Sequence, residues 1–113
     1  MNKENAILDL SFKFALEIIK FTENLESIKK YNLSNQLFRS GTSIGANIRE
    51  AQSAESKADF IHKVKIADKE ANETEYWLLL CQHSESYPNC ENLLDEVLVL
   101  KKIMSKIIGS AKG

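Results

Sequence analysis

Apolar residues recur along this chain at alternating steps of four and three, the spacing that returns to one face of an α-helix. Ile7, Ser11, Phe14, Ile18, Phe21, Leu25 and Ile28 form the first such stripe and predict a helix over about residues 5–28. Leu8, Phe12, Ala15 and Ile19 lie beside it. At about 100° per residue, apolar side chains then cover roughly two-thirds of the circumference. Asp9, Lys13, Glu17, Lys20, Asn24 and Ser27 keep the remaining wedge. One bundle core needs a narrower stripe. The excess, at Phe12, Leu16 and Ile19, predicts a second buried face and therefore a partner chain.

A joint at Lys29-Lys30-Tyr31-Asn32 comes next, its lysines placed to complement a helix C-terminus. Ser34 reads as the N-cap of a second helix over about 34–54, with the stripe Leu37, Gly41, Ile44, Ile48 and Ala51. Two glycines inside a helix cost roughly 1 kcal/mol each relative to alanine. Gly41 and Gly45, with Ser40, Ser43, Ala46, Ala51 and Ala54, leave this helix thin enough for a neighbouring backbone to approach closely.

Ser56 and Asp59 have capping-box spacing, which either starts a third helix or marks a kink between two helical segments. Phe60, Val64, Ala67, Ala71, Thr74, Leu78 and Cys81 then repeat without a slip, predicting a helix over 57–84. Pro88 restricts Tyr87 away from helix, and Asn89 can cap a fourth helix. That helix, 90–108, carries Leu93, Val97, Leu100, Met104 and Ile107, with Gly109 as its C′ residue and frayed residues beyond. Short joints between these segments predict an all-α, antiparallel up-down-up-down four-helix bundle, one domain over 1–113.

Composition agrees with this pattern. The 113 residues are 43% hydrophobic and 27% charged, and four Gly with one Pro are too few for an all-β chain. Fifteen basic residues oppose sixteen acidic ones, for a net charge of −1. No segment concentrates either sign, so one chain alone lacks the electrostatic footprint of a nucleic-acid binder. Cys81 and Cys90 form neither a C-x-x-C pair nor a zinc set with the two His. Two thiols without a signal peptide indicate a reducing, cytoplasmic compartment, and no apolar run is long enough for a membrane.

Candidate chemistry is thin. Ser40-Gly41-Thr42-Ser43-Ile44-Gly45-Ala46 lacks the Lys of a phosphate-binding loop and follows no strand. Glu70-x-x-Glu73 and Asn47-x-x-Glu50 hint at a di-iron bundle site, but neither His follows a Glu by three. Glu70 and Glu73 are better read as ion-pair partners of Arg39 or Arg49. Cys81 falls on the apolar stripe, where a free Cys acts as a small hydrophobe, and Cys90 has no oriented His to make a dyad. No cofactor, metal or small-molecule substrate is expected, nor an enzyme. Lys63, Lys65, Lys101, Lys102 and Lys106 are the candidate contacts to RNA or DNA.

Three blocks carry a resemblance: Leu33 through Ala51, Ser56 through Lys63, and Ile66 through Leu78. Over roughly residues 10–85 the chain resembles the four-helix bundle family of proteins encoded in intervening sequences of 23S ribosomal RNA genes. Its matching positions are Arg39, Ser40, Ser43, Ile44, Asn47, Glu50, Phe60, Ala67, Glu70, Glu73 and Trp77. Leu79 stands where close relatives would carry a basic residue, and Gly45 where some carry Pro. The resemblance implies antiparallel bundles that associate as rings of five. A more distant similarity, to the accessory protein of diversity-generating retroelements, implies a pentameric barrel thought to bind nucleic acid and a reverse transcriptase.

The expected function is therefore a non-enzymatic, self-assembling scaffold, a homopentamer with a protein partner. The alternative is an RNA- or DNA-binding accessory protein whose lysines are multiplied by symmetry.

Overall fold

The computed structural model describes the backbone from Lys3 to Lys112 and the side chains of residues 5–110. It contains α1 (Lys3–Ser27), α2 (Tyr31–Ala51), α3 (Lys57–His83) and α4 (Glu91–Lys112), with no strand among the described residues. Each helix packs on its neighbours in sequence, and α4 closes the ring against α1. The result is the expected up-down-up-down bundle, 45 × 22 × 20 Å. The periodic residues build its core. Ile7, Phe14, Ile18 and Leu25 of α1 meet Leu37, Ile44 and Ile48 of α2, Val64, Ala71 and Leu78 of α3, and Val97, Leu100 and Met104 of α4.

The α1 stripe departs from the expectation near its end. Thr22 turns inward and is buried, while Phe21 is half-buried and Ile28 is exposed beyond the helix. A strict four-three repeat advances 3.5 residues per turn, whereas a straight helix advances about 3.6, so the buried line drifts to the later residue. The Thr22 hydroxyl donates to the Ile18 carbonyl at 2.9 Å, which satisfies it inside the core.

Ser34 is not an N-cap. α2 starts at Tyr31, and Ser34 lies buried within its first turn, donating its hydroxyl to the Thr22 carbonyl at 3.0 Å. The early start results from how α1 ends. Lys29 adopts φ 65°, its N–H donates to the Glu26 carbonyl at 2.9 Å, and Lys30 N–H donates to the Leu25 carbonyl at 2.8 Å. That pairing is a Schellman motif, with lysine where glycine is usual. It reverses the chain within Ile28–Lys30 and leaves Lys30 ahead of α2 without a side-chain cap. The left-handed conformation costs a non-glycine residue roughly 1–2 kcal/mol, part of which glycine returns through its freer unfolded chain. Lys29→Gly is expected to raise the thermal midpoint by a few degrees in a calorimetric scan. An unchanged or lowered midpoint would contradict the strain.

The Ser56 motif starts a new helix rather than kinking a continuous one. Ser56 is extended and its Oγ accepts the Asp59 N–H at 3.0 Å, while Asp59 Oδ2 accepts the Glu55 N–H at 3.2 Å. At the third joint Asn89 Oδ1 accepts the Glu91 N–H at 2.8 Å, satisfying an orphan donor of α4. Gly109 does not end α4. The helix continues to Lys112, and no atom surrounds the place of the missing Gly109 Cβ, so no tertiary contact enforces a stop there. Met1, Asn2 and Gly113, including the end of the expected fray, lie outside the described residues.

The thinness of α2 is used toward α1. A Cβ on Gly45 would sit 3.2 Å from the Ser11 carbonyl oxygen, and one on Gly41 would sit 2.8 Å from Ile18 Cγ1. Toward α3 the small residue is Ser40, whose hydroxyl shares a buried 2.9 Å hydrogen bond with Thr74.

Candidate functional site

The residues carrying the sequence resemblance converge on the α2–α3 edge. Arg39, Ser43, Asn47 and Glu50 recur at helical spacing along one flank of α2. Arg39 Nη1 reaches Glu70 Oε1 at 3.1 Å, and Nη2 pairs with Glu73 Oε2. Glu73 Oε2 also accepts the Trp77 indole N–H at 2.9 Å, and the Trp77 ring lies against Tyr76 with centroids 5.3 Å apart. Ser43 donates to the Arg39 carbonyl at 2.5 Å, Asn47 Nδ2 donates to the Ser43 carbonyl at 2.9 Å, and Glu50 meets Lys63 Nζ at 3.3 Å.

Arg39 thus spans two carboxylates one turn apart and fixes the register of α3 on α2. Both acids are taken up by a guanidinium and an indole, and no cluster suited to a metal occurs among the described residues. The arrangement clamps two helices. Because the Arg39 side chain is half-exposed, each ion pair is worth about 0.2–1 kcal/mol. Arg39→Ala removes both and leaves Glu70 and Glu73 facing each other, so urea unfolding should show a loss of about 1–2 kcal/mol. Arg39→Lys should restore only part, since an ammonium cannot span two carboxylates as a planar fork does. Full rescue by lysine would contradict the bidentate role.

Acids on the other edges behave differently. Burial raises the Asp68 carboxyl above its ordinary range, with Lys101 opposing, and Asp68 Oδ1 is buried without a hydrogen-bond partner. Glu96 is solvent-exposed, and partial desolvation and then the nearby Glu17 raise it. A carboxyl raised in the fold holds its proton at a pH where the unfolded chain has released it. Its contribution to stability is therefore most favourable in acid and declines as pH rises from the ordinary carboxylate range through the raised one. Asp68→Asn and Glu96→Gln should each raise the melting temperature at pH 7 and flatten this acid-side slope. A variant melting below wild type at pH 7, with the slope intact, would rule the effect out.

The candidate nucleic-acid lysines divide into two groups. Lys63 is engaged by Glu50, and Lys101 lies half-buried with Nζ 2.6 Å from Glu75 Oε1. Lys65, Lys102 and Lys106 are exposed. Because α3 and α4 run antiparallel, the start of α3 and the end of α4 share one end of the bundle, which puts Lys65 and Lys106 in the same half of it.

The broad apolar side of α1 remains uncovered within one chain. Phe12 is 53% exposed and Leu16 47%, with Ile19 half-buried. Phe38 of α2 is exposed as well, and a groove of about 200 Å³ between the helices is lined by Phe12, Ala15, Gly45 and Ala46 among others. A second apolar patch is not apparent from the helical stripes. Tyr76, Leu79 and Leu80 point outward from α3. The run Leu78-Leu79-Leu80 contained the signal, since only Leu78 lies on the buried stripe and the next two residues must face elsewhere.

The family model for 23S rRNA-intervening sequence proteins matches residues 3–106. The chain belongs to that family. Membership extends the resemblance over residues 10–85 to nearly the whole bundle, and the Arg39–Glu70–Glu73–Trp77 clamp is how this 23S rRNA-intervening sequence protein uses the blocks that carried it. A solved structure from Bacteroides thetaiotaomicron VPI-5482, described as a protein with unknown function from the S23 ribosomal protein family, is similar at 44% identity. Its TM-score is 0.91, over 96% of this chain and 99% of that one. No curated protein matches. No helix among the described residues is long and apolar enough to cross a membrane.

Proposed function

We propose that this 23S rRNA-intervening sequence protein is a non-catalytic cytoplasmic scaffold that works as a homo-oligomer, a ring of five being the assembly its sequence resemblance implies. The observation that carries the reading is the exposed α1 flank at Phe12 and Leu16, with Phe38 exposed on α2. Large apolar side chains grouped along one edge are an interaction surface in a stable protein. A cyclic assembly needs two different complementary patches on each chain, and the outward face of α3 offers the second. Light scattering coupled to size exclusion at micromolar concentration tests this. The expected mass is about five times that of one chain, and a single-chain mass would end the proposal.

The second reading makes RNA or DNA the ligand, supported by exposed Lys65 and Lys106 in the same half of the bundle, which a ring would repeat around its axis. Retention of a structured RNA should then fall steeply with salt, log K declining linearly with log salt through counterion release. Absence of a mobility shift at low salt would remove this reading and leave the scaffold intact.

A further inference from the structure

Two thiols that the sequence separates by a loop meet across the α3–α4 joint. Cys81 lies in the last turns of α3, and Cys90 immediately precedes α4. Cys90 Sγ sits 3.1 Å from the Leu78 carbonyl oxygen, one turn before Cys81. Reciprocally, Cys81 Sγ sits 3.5 Å from the Pro88 carbonyl oxygen, two residues before Cys90. Each sulfur is thus held against the segment that carries the other. The Gln82 side-chain oxygen accepts the Cys90 N–H at 2.8 Å and fastens this crossing to α3. Both cysteines are free and buried.

Burial alone would make them two small core hydrophobes. Their mutual contact says more. Each is the leading influence on the other's ionisation, with Cys90 lowered from the usual thiol range and Cys81 raised. Cys90, although only 3% exposed, borders an open groove of about 490 Å³ beside Lys20 and Asn24 of α1.

We propose that Cys81 and Cys90 form a modification site at which a small hydroperoxide converts the dithiol to an intramolecular disulfide, locking the start of α4 to the end of α3. The Cys90 thiolate attacks the peroxide, forming an S–O bond as the O–O bond breaks. Hydroxide leaves and takes up a proton as water, and Cys90 becomes a sulfenic acid, oxidised by the two electrons that reduce the peroxide. The Cys81 sulfur then attacks Cys90, forming the S–S bond as the S–O bond breaks. The departing hydroxide leaves as water with the Cys81 proton. In sum, two thiols and one hydrogen peroxide yield one disulfide and two waters.

The test treats the full-length folded protein with hydrogen peroxide and reads intact mass and thiol alkylation. Wild type should lose 2 Da, refuse iodoacetamide after denaturation, and recover both thiols with dithiothreitol. Its melting temperature should rise by about 10 °C on oxidation, because a short loop is closed in the unfolded chain. Cys81→Ser should instead stop at a dimedone-reactive species 16 Da heavier, and Cys90→Ser should lack that species. Wild type gaining 16 or 32 Da without the 2 Da loss, forming disulfide-linked dimers, or remaining unreacted would each overturn the proposal. The wild-type readouts decide the matter even where a variant fails to fold.

Discussion

Gly45→Leu should lower the thermal midpoint of this bundle by about 15 °C. A Cβ at this position already falls 3.2 Å from the Ser11 carbonyl oxygen, tighter than ordinary packing allows. That oxygen belongs to the backbone of α1 and cannot swing aside as a flexible side chain would. The three further carbons of leucine must therefore separate α1 from α2, opening the seam along Ile18 and Ile44. Overpacking of this kind costs about 3 kcal/mol, and each kcal/mol shifts the midpoint of a domain this size by about 5 °C. Gly45→Ala is the informative control. Its gain in helix propensity, about 1 kcal/mol, should roughly offset the tight contact and leave the midpoint near wild type. Circular dichroism melts of the two variants decide the point, and a leucine variant melting with wild type would show that α1 does not approach so closely.

Phe12→Glu combined with Leu16→Glu should convert the proposed assembly to single folded chains. Both side chains are about half exposed within one subunit, so their replacement leaves the bundle core untouched. In the proposed oligomer the same positions would be buried at every repeat of the interface. With half of each side chain already covered, losing the two removes about 2 kcal/mol per contact, before the penalty of burying carboxylates, and weakens each dissociation constant about thirtyfold. The expected result is a drop in scattering mass to one chain with an unchanged far-ultraviolet spectrum. A double variant that keeps the wild-type multimeric mass would show that another face makes the assembly.

Most of the fold could be read from the sequence because its signals are local. The four-three stripes from Phe60 to Cys81 and from Leu93 to Ile107 place two helices without reference to anything else. Pro88 marks a break by fixed chemistry, whereas Ser56 leaves open whether a helix starts or kinks there. What escaped was set by tertiary context. Ser34 has the residue type of a cap, but its hydroxyl serves a carbonyl on the preceding helix. The α1 terminus uses Lys29 in a conformation that lysine does not advertise. Among the candidate residues, pairing of Glu70 and Glu73 with an arginine was foreseeable from charge and spacing, and Arg39 is the one that takes the role. The meeting of Cys81 with Cys90 was not foreseeable. It depends on how the residues between them fold back, and no periodic pattern encodes that path.

The order of the helices around the ring has a kinetic consequence. Among the described residues, three of the four seams join elements adjacent in the chain, and only α1 against α4 brings together distant segments. Closing a short loop sacrifices little entropy, so the hairpins α1–α2, α2–α3 and α3–α4 can form early and independently. The last seam must wait for all of them. Folding should be rapid, and its final barrier should be the docking of Leu100 and Val97 onto Phe14.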